Sequence, residues 1–189
     1  MTTWFTSDEH VGHIRIIEYS ARPFLDVDEM RRELVARHNA VVRDGDTVYH
    51  LGDVTMRDQY VQAYVAELRG THLLIPGNHD ACHPCHSKHE PARRKYLQWG
   101  FADVLPLTIE YSLPGFGPVL VSHMPYVGDH TDQERHAKWR PIDAGLPLLH
   151  GHVHEKWLRS GNQINVGVDQ WNYAPVSEAQ LVALLTSAS

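Results

Sequence analysis

Aspartate, asparagine and histidine recur along this chain in short clusters. They are Asp8-Glu9-His10, Gly52-Asp53, Gly77-Asn78-His79-Asp80, Ser122-His123 and Gly151-His152-Val153-His154. Carboxylate oxygen, amide oxygen and imidazole nitrogen are ligand atoms for divalent transition metals, and imidazole is the commonest of them. Histidine is also enriched, at 15 of 189 residues against 17 Lys+Arg. In an extended segment residues two apart point to the same side, so Asp8 and His10 are expected to reach one ion by strand alternation. The glycines at 52, 77 and 151 allow tight turns and close backbone approach. Each cluster alone is weak, and the ordered set carries the meaning.

The elements that must position these clusters are legible from patterning. Thr3–Ser7, Thr47–Leu51 and His72–Ile75 read as strands, each running into a cluster. Val104–Leu113 and Val119–His123 read as an antiparallel pair around Pro114–Pro118, and Leu148–His152 and Gln163–Val168 as two further strands. Asp26-x-x-Glu29 starts a helix carrying Met30, Leu34 and Val41, and Ser177-x-x-Gln180 starts the last one. Val61, Tyr64, Val65 and Leu68 keep a helical stripe closed by Gly70, and Glu90–Trp99 is helical before Gly100. The alternation predicts one mixed α/β domain over residues 1–189, with two sheets and helices outside. The carboxyl ends of strands form the binding crevice in such sheets, so the five clusters can converge.

The order D-x-H, G-D, G-N-H-[D/E], H, G-H-x-H, from Asp8 to His154, resembles the calcineurin-like metallophosphoesterase family. The stretch from His10-Val11-Gly12-His13 to Arg22-Pro23-Phe24 is similar to its compact bacterial and phage members, and Asn165–Asp169 to a strand often found next in them. Val54-Thr55-Met56-Arg57 does not copy the extension of the Gly-Asp motif found in larger protein phosphatases. The resemblance implies a four-layer α/β/β/α sandwich of two mixed sheets. It implies that Asp8, His10, Asp53 and His154 hold one metal, and Asp53, Asn78, His123 and His152 the other, with Asp53 bridging. It implies attack on phosphorus by a metal-bridging hydroxide, with His79 protonating the leaving group and Asp80 orienting or tuning that imidazole. The mixed N/O ligand set suits Mn²⁺, the first expectation, or Fe, Zn²⁺ or Ni²⁺.

The expected reaction is hydrolysis of a cyclic nucleotide or another small phosphodiester. The alternatives are a phosphomonoesterase or nucleotidase, a single-strand nuclease, and a non-catalytic metal-binding scaffold. His13, Arg22 and Trp139 are candidate substrate contacts, and the cationic, aromatic segment Asp129–Arg140 is a candidate lid. His38, His50, His72 and His150 are expected to be structural. Cys82-His83-Pro84-Cys85-His86 with His89 offers a weaker candidate for a third metal, since it forms one cluster rather than two separated ligand pairs.

The formal charge of −6 argues against an extended duplex partner or an anionic membrane. It leaves room for a phosphate drawn to bound cations. No apolar run reaches the length of a membrane helix, the first residues show no secretory signal, and two cysteines exclude a disulfide scaffold. A reducing, cytoplasmic setting is expected.

Overall fold

Four strands, β1 (Thr3–Thr6), β2 (Thr47–His50), β3 (Thr71–Leu74) and β4 (Phe101–Val104), lie parallel and adjacent in that order. Parallel neighbours need crossover connections. These are supplied by α1 (Ile14–Tyr19) and α2 (Val27–Val41), then α3 (Val61–Val65), then α4 (His89–Gln98). The chain then enters a second sheet with β5 (Thr108–Leu113), β6 (Gly117–Ser122), β7 (Leu148–His150), β8 (Arg159–Ser160) and β9 (Gln163–Asn165). Its spatial order is β5-β6-β7-β9-β8. Finally β10 (Val176–Ser177) returns antiparallel to β1 and leads into α5 (Glu178–Thr186). This computed structural model describes residues 1–131, 133 and 135–187; positions 132 and 134 of the candidate lid, and 188–189, lie outside the described residues.

Local chemistry accounts for the helix boundaries. The Asp26 carboxylate accepts from the N–H groups of Asp28 and Glu29, at 2.9 and 2.8 Å, and starts α2. Its return arm differs from the expected box, because Glu29 accepts from Leu25 N–H rather than from Asp26. Ser177 and Gln180 form the full reciprocal box at α5. The stripe through Leu68 is helical only to Val65; there the chain tightens, Leu68 N–H bonding Val65 C=O, and turns at Gly70 with φ +104°.

One expected strand divides between the sheets. Val104 ends β4 in the first sheet, and Thr108 opens β5 in the second. Leu105 N–H still donates to Leu74 C=O, but Pro106 has no N–H to continue the ladder. The expected antiparallel pair is β5 and β6, in register from Thr108↔Ser122 to Leu113↔Gly117.

Two apolar clusters hold the layers. Met30 and Leu34 of α2, Tyr64 and Val65 of α3, and Ala92 and Tyr96 of α4 pack with Leu74, Phe101 and Val104 on one face of the first sheet. Phe5, Ile75 and Val176 from that sheet join Val119, Val121, Leu149 and Ile164 from the second in one buried cluster, with Leu181 of α5. The sheets therefore pack face to face with helices outside, the expected sandwich. Among the described residues no helix is long and apolar enough to cross a membrane.

Candidate metal centre

The five motif segments leave the carboxyl ends of β1, β2, β3, β6 and β7 and meet where the two sheets approach. β1 continues to Asp8 and His10, β2 to Asp53, β3 to Asn78, β6 to His123, and β7 to His152 and His154. A bridge between Ser7 and Gly167 ties the sheets here, and His152 N–H donates to Asp8 Oδ2 at 2.9 Å.

Strand alternation is not what brings the ligands together. Asp8, His10, Asp53, His152 and His154 all sit in the left-handed region, with φ of 60°, 49°, 55°, 72° and 47°. That conformation costs a non-glycine residue about 1–2 kcal/mol and persists where the surroundings enforce it. Here Asp8 N–H is fixed to Gly52 C=O and His10 N–H to Asp53 C=O, each at 3.0 Å. The kinks aim successive ligand side chains at one point. Close approach also dictates two glycines. A Cβ on Gly77 would lie 2.2 Å from Asp53 Oδ1, and one on Gly151 would lie 2.0 Å from Ser7 Oγ.

The donors fall into overlapping groups: Asp8 with His10 and His154, and Asp8 with Asp53 and His123. His10 Nε2 is 3.2 Å from His154 Nε2 and 3.8 Å from Asp53 Oδ2. His154 Nε2 is 3.6 Å from Asp8 Oδ1, and His123 Nε2 is 3.5 Å from Asp53 Oδ2. Bonds of about 2.1 Å place neighbouring donors roughly 3.0–3.4 Å apart around one cation, near these separations. Asp8 Oδ1, Asn78 Oδ1 and His123 Nε2 are buried with no hydrogen-bond partner among the described residues. Such burial costs about 1–3 kcal/mol per group unless something else satisfies it. His123 Nδ1–H donates to Leu51 C=O at 2.6 Å, which leaves Nε2 as the ligand atom. The residues present fit divalent cations.

Charge follows the same arrangement. Burial pushes the Asp8 and Asp53 carboxyls upward. The surrounding histidines outweigh it and hold both below the usual carboxylate range, with His154 dominant at Asp8 and His123 at Asp53. Glu9, in the same segment, points elsewhere. Burial, then the charges of Asp8 and Asp53, push it up to about 8. Its carboxyl meets His50 Nδ1 at 2.7 Å, and His50 Nε2 meets His72 Nδ1 at 3.0 Å. His38 stacks on His50 and lies tilted against His72, and His150 bonds Gly151 C=O, so these four histidines are buried in contacts away from the metal-holding groups.

Two expected roles are corrected. Asp80 does not orient the His79 ring. Its Oδ2 accepts from Asp53 N–H and Gly77 N–H, each at 2.8 Å, and its Oδ1 from Val54 N–H at 3.2 Å. It is fully buried and clamps the second motif to the third. Arg22 is not open to substrate. It forms a two-pronged pair with Asp169, both contacts at 2.8 Å, and donates to the carbonyls of Asp8 and Glu9. Both side chains are almost wholly buried.

The other candidates border the centre in different ways. His79 is part-exposed, with Nε2 4.0 Å from Asp53 Oδ2 and its N–H donating to Asp53 Oδ1 at 2.8 Å. It shares a cavity of about 430 Å³ with His10, His13, Ile16, His130 and Arg135. Trp139 lies over His83, ring centroids 5.0 Å apart, rather than on that cavity. Cys82 and Cys85 are free, and neither joins a metal-holding group among the described residues. Their loop clasps Asn78 instead: His86 Nε2–H donates to its C=O at 2.9 Å, and Cys85 Sγ lies 3.6 Å from that oxygen. His152 stands beside His123, centroids 5.3 Å apart, but its Nε2 lies 3.2 Å from Asp129 Oδ2. Asp129 does not stand out by type or spacing, since a lone acid in a polar loop carries no local signal.

Two sheets whose strand ends converge on overlapping carboxylate–histidine groups define a metal-centre class of site. The calcineurin-like phosphoesterase family model matches residues 1–179, and the chain belongs to that family. It is 36% identical over 183 residues to the gene 66 protein of Mycobacterium phage L5, covering 89% of this chain and 87% of that one. An uncharacterized protein of Methanocaldococcus jannaschii, MJ1445, is 30% identical over 192 residues, covering 96% and 90%. A crystal structure of AQ665 from Aquifex aeolicus, a protein of unknown function, superposes with a TM-score of 0.74 at 25% identity, covering 97% and 98%.

Proposed function

We propose that this phosphoric ester hydrolase is a dinuclear phosphodiesterase acting on small diesters, cyclic nucleotides among them. Asp8, His10, Asp53 and His154 would hold one divalent ion. Asp53, Asn78, His123 and His152 would hold the second, with Asp53 shared. Two such ions, when bound, acidify water and neutralise charge on phosphoryl oxygens. The observation that carries the reading is the set of buried, unpartnered donors, Asp8 Oδ1, Asn78 Oδ1 and His123 Nε2, within a continuous carboxylate–histidine cluster.

The protein's own groups divide the remaining work. His79 borders both the Asp53 carboxylate and the open cavity, so its imidazole can deliver a proton to a leaving oxygen held there. The cavity supports the diester choice. Tyr19 offers apolar surface over the buried Ile16 and Arg135 a cation, room for the second ester substituent that a monoester lacks. Manganese is the first ion to try, since oxygen and imidazole donors accept it.

The test compares bis-p-nitrophenyl phosphate with p-nitrophenyl phosphate in the manganese-loaded protein, then cyclic nucleotides with single-stranded DNA. Faster turnover of the diester, abolished by EDTA and restored by Mn²⁺, is expected. Preference for the monoester overturns the diester assignment, and no hydrolysis of either by fully loaded protein favours a binding scaffold.

A further inference from the structure

The loop between β6 and β7 places one carboxylate where a metal ligand belongs. Asp129 is carried on this loop, yet its side chain is wholly buried. Its Oδ2 lies 3.2 Å from Nε2 of His152, and Asp129, His130 and His152 form a third group able to hold a cation. Two donors each about 2.1 Å from one ion, at right angles, would be about 3.0 Å apart. The Asp129–His152 separation is close to that value. It also matches the 3.2 Å between His10 Nε2 and His154 Nε2 in the other half of the centre.

From this geometry we propose that Asp129 is a loop-borne ligand of the ion held by His152, additional to the motif residues. The inference rests on the two-ion reading above and concerns which residues complete it. The four motif donors Asp53, Asn78, His123 and His152 leave positions open on an ion that prefers about six ligands, as oxygen-rich Mn²⁺ or Mg²⁺ sites do. A carboxylate already directed at His152 fills one of them.

The surroundings of Asp129 fit that role. Arg135 Nη2 lies 3.1 Å from its Oδ1, Arg140 Nη2 3.5 Å from its Oδ2, and His130 Nδ1 3.3 Å from its Oδ1. These groups fix the carboxylate and offset the charge that a third acid adds beside Asp8 and Asp53, so an anionic ester is not repelled. Arg140 Nη1 also donates to Pro125 C=O, which anchors the arginine to the start of the same loop. Binding of the ion at His152 would therefore fasten Asp129 and the groups paired with it at the centre. His130, stacked on His154 with centroids 4.9 Å apart, and Arg135 would then be fixed as walls of the cavity.

The test is Mn²⁺ titration, by calorimetry and by the electron-spin signal of free and spin-coupled ions, on wild type, Asp129→Asn and Asp129→Ala. Melting in EDTA checks that each variant folds. Wild type should bind two ions per chain. Both variants should keep the affinity of one ion and bind the other about 10–100-fold less well, the usual scale for losing a group that supports a metal. The spin-coupled signal should disappear at stoichiometric Mn²⁺. Two ions bound with wild-type affinities in Asp129→Asn overturn the proposal and leave the two-ion reading intact. Equal weakening of both ions overturns it too, because Asp129 would then be supporting the whole centre. A wild type that binds only one ion defeats the two-ion reading itself, and this inference with it.

Discussion

Replacing Asp80 by asparagine separates a clamp from a catalytic partner. In wild type its two oxygens accept three buried backbone N–H groups, those of Asp53 and Gly77 at 2.8 Å and that of Val54 at 3.2 Å. The asparagine amide can keep its oxygen toward Asp53 and Gly77, but its NH₂ then faces Val54 N–H, donor against donor. One unsatisfied buried group costs about 1–3 kcal/mol. At this chain length each kcal/mol lowers the melting temperature by about 2–4 °C, so the fall should be about 2–12 °C. The residue after Asp53 loses its anchor, so the Asp53 carboxylate is held less firmly and Mn²⁺ affinity should drop about 10–100-fold. At saturating Mn²⁺ the response to leaving group should match wild type, because Asp80 does not touch the His79 ring. The assays are thermal melting in EDTA, Mn²⁺ titration, and turnover of p-nitrophenyl and phenyl diesters. Unchanged melting and Mn²⁺ binding, with turnover lost only on the phenyl ester, would refute the clamp and restore Asp80 as the partner of His79.

The same geometry sets other expectations. His79→Asn should keep its bound metal and lose about 10²–10⁴-fold in turnover on poor leaving groups, the scale of a general acid; metal analysis beside kinetics checks it. Arg22→Ala strands the buried Asp169 carboxylate and should cost about 3–5 kcal/mol, read as a melting shift with KM unchanged, whereas a substrate contact would raise KM and spare stability. Burial holds His38 neutral, down at about 3 against about 6.5 when unfolded. The unfolded chain therefore takes up the proton first as pH falls below 6.5, and stability is lost from there downward. At pH 5 the effect of this one group is about 2 kcal/mol. His38→Gln, which can still donate to Arg69 C=O, should flatten the decline in melting temperature between pH 7 and 5, and an unchanged slope would remove His38 from it.

The centre was legible because each ligand cluster comes directly after a short apolar run, and a strand delivers the residues beyond its end to one edge of a sheet. The helix starts at Asp26 and Ser177 were legible because capping is local chemistry. The misread parts are those where the deciding partner is distant in sequence. Arg22 looks like a phosphate contact until Asp169, from the far end of the chain, takes up its guanidinium. Asp80 is the direct neighbour of His79, yet its hydrogen bonds reach back to Asp53 and Val54. The two-residue strands β8 and β10 have no pattern long enough to read, and the break at Leu105-Pro106-Leu107 separates two sheets within one apolar run.

The left-handed kinks were illegible for a different reason, and they bear on how the site works. Positive φ normally announces itself as glycine, or as asparagine in a turn. Here aspartate and histidine carry it, at the positions that must aim a ligand atom, so the residue type required by chemistry overrides the one preferred by the backbone. Neighbouring strand ends hold these kinks through bonds such as Asp8 N–H to Gly52 C=O and His10 N–H to Asp53 C=O. The kinks after β1 and β2 are held by each other's backbone, and the kink at His152 by its N–H bond to the Asp8 carboxylate. A cation accepting the unpartnered Asp8 Oδ1, Asn78 Oδ1 and His123 Nε2 would relieve the remaining cost of burying them. Metal binding and folding would thus be coupled through the same few residues.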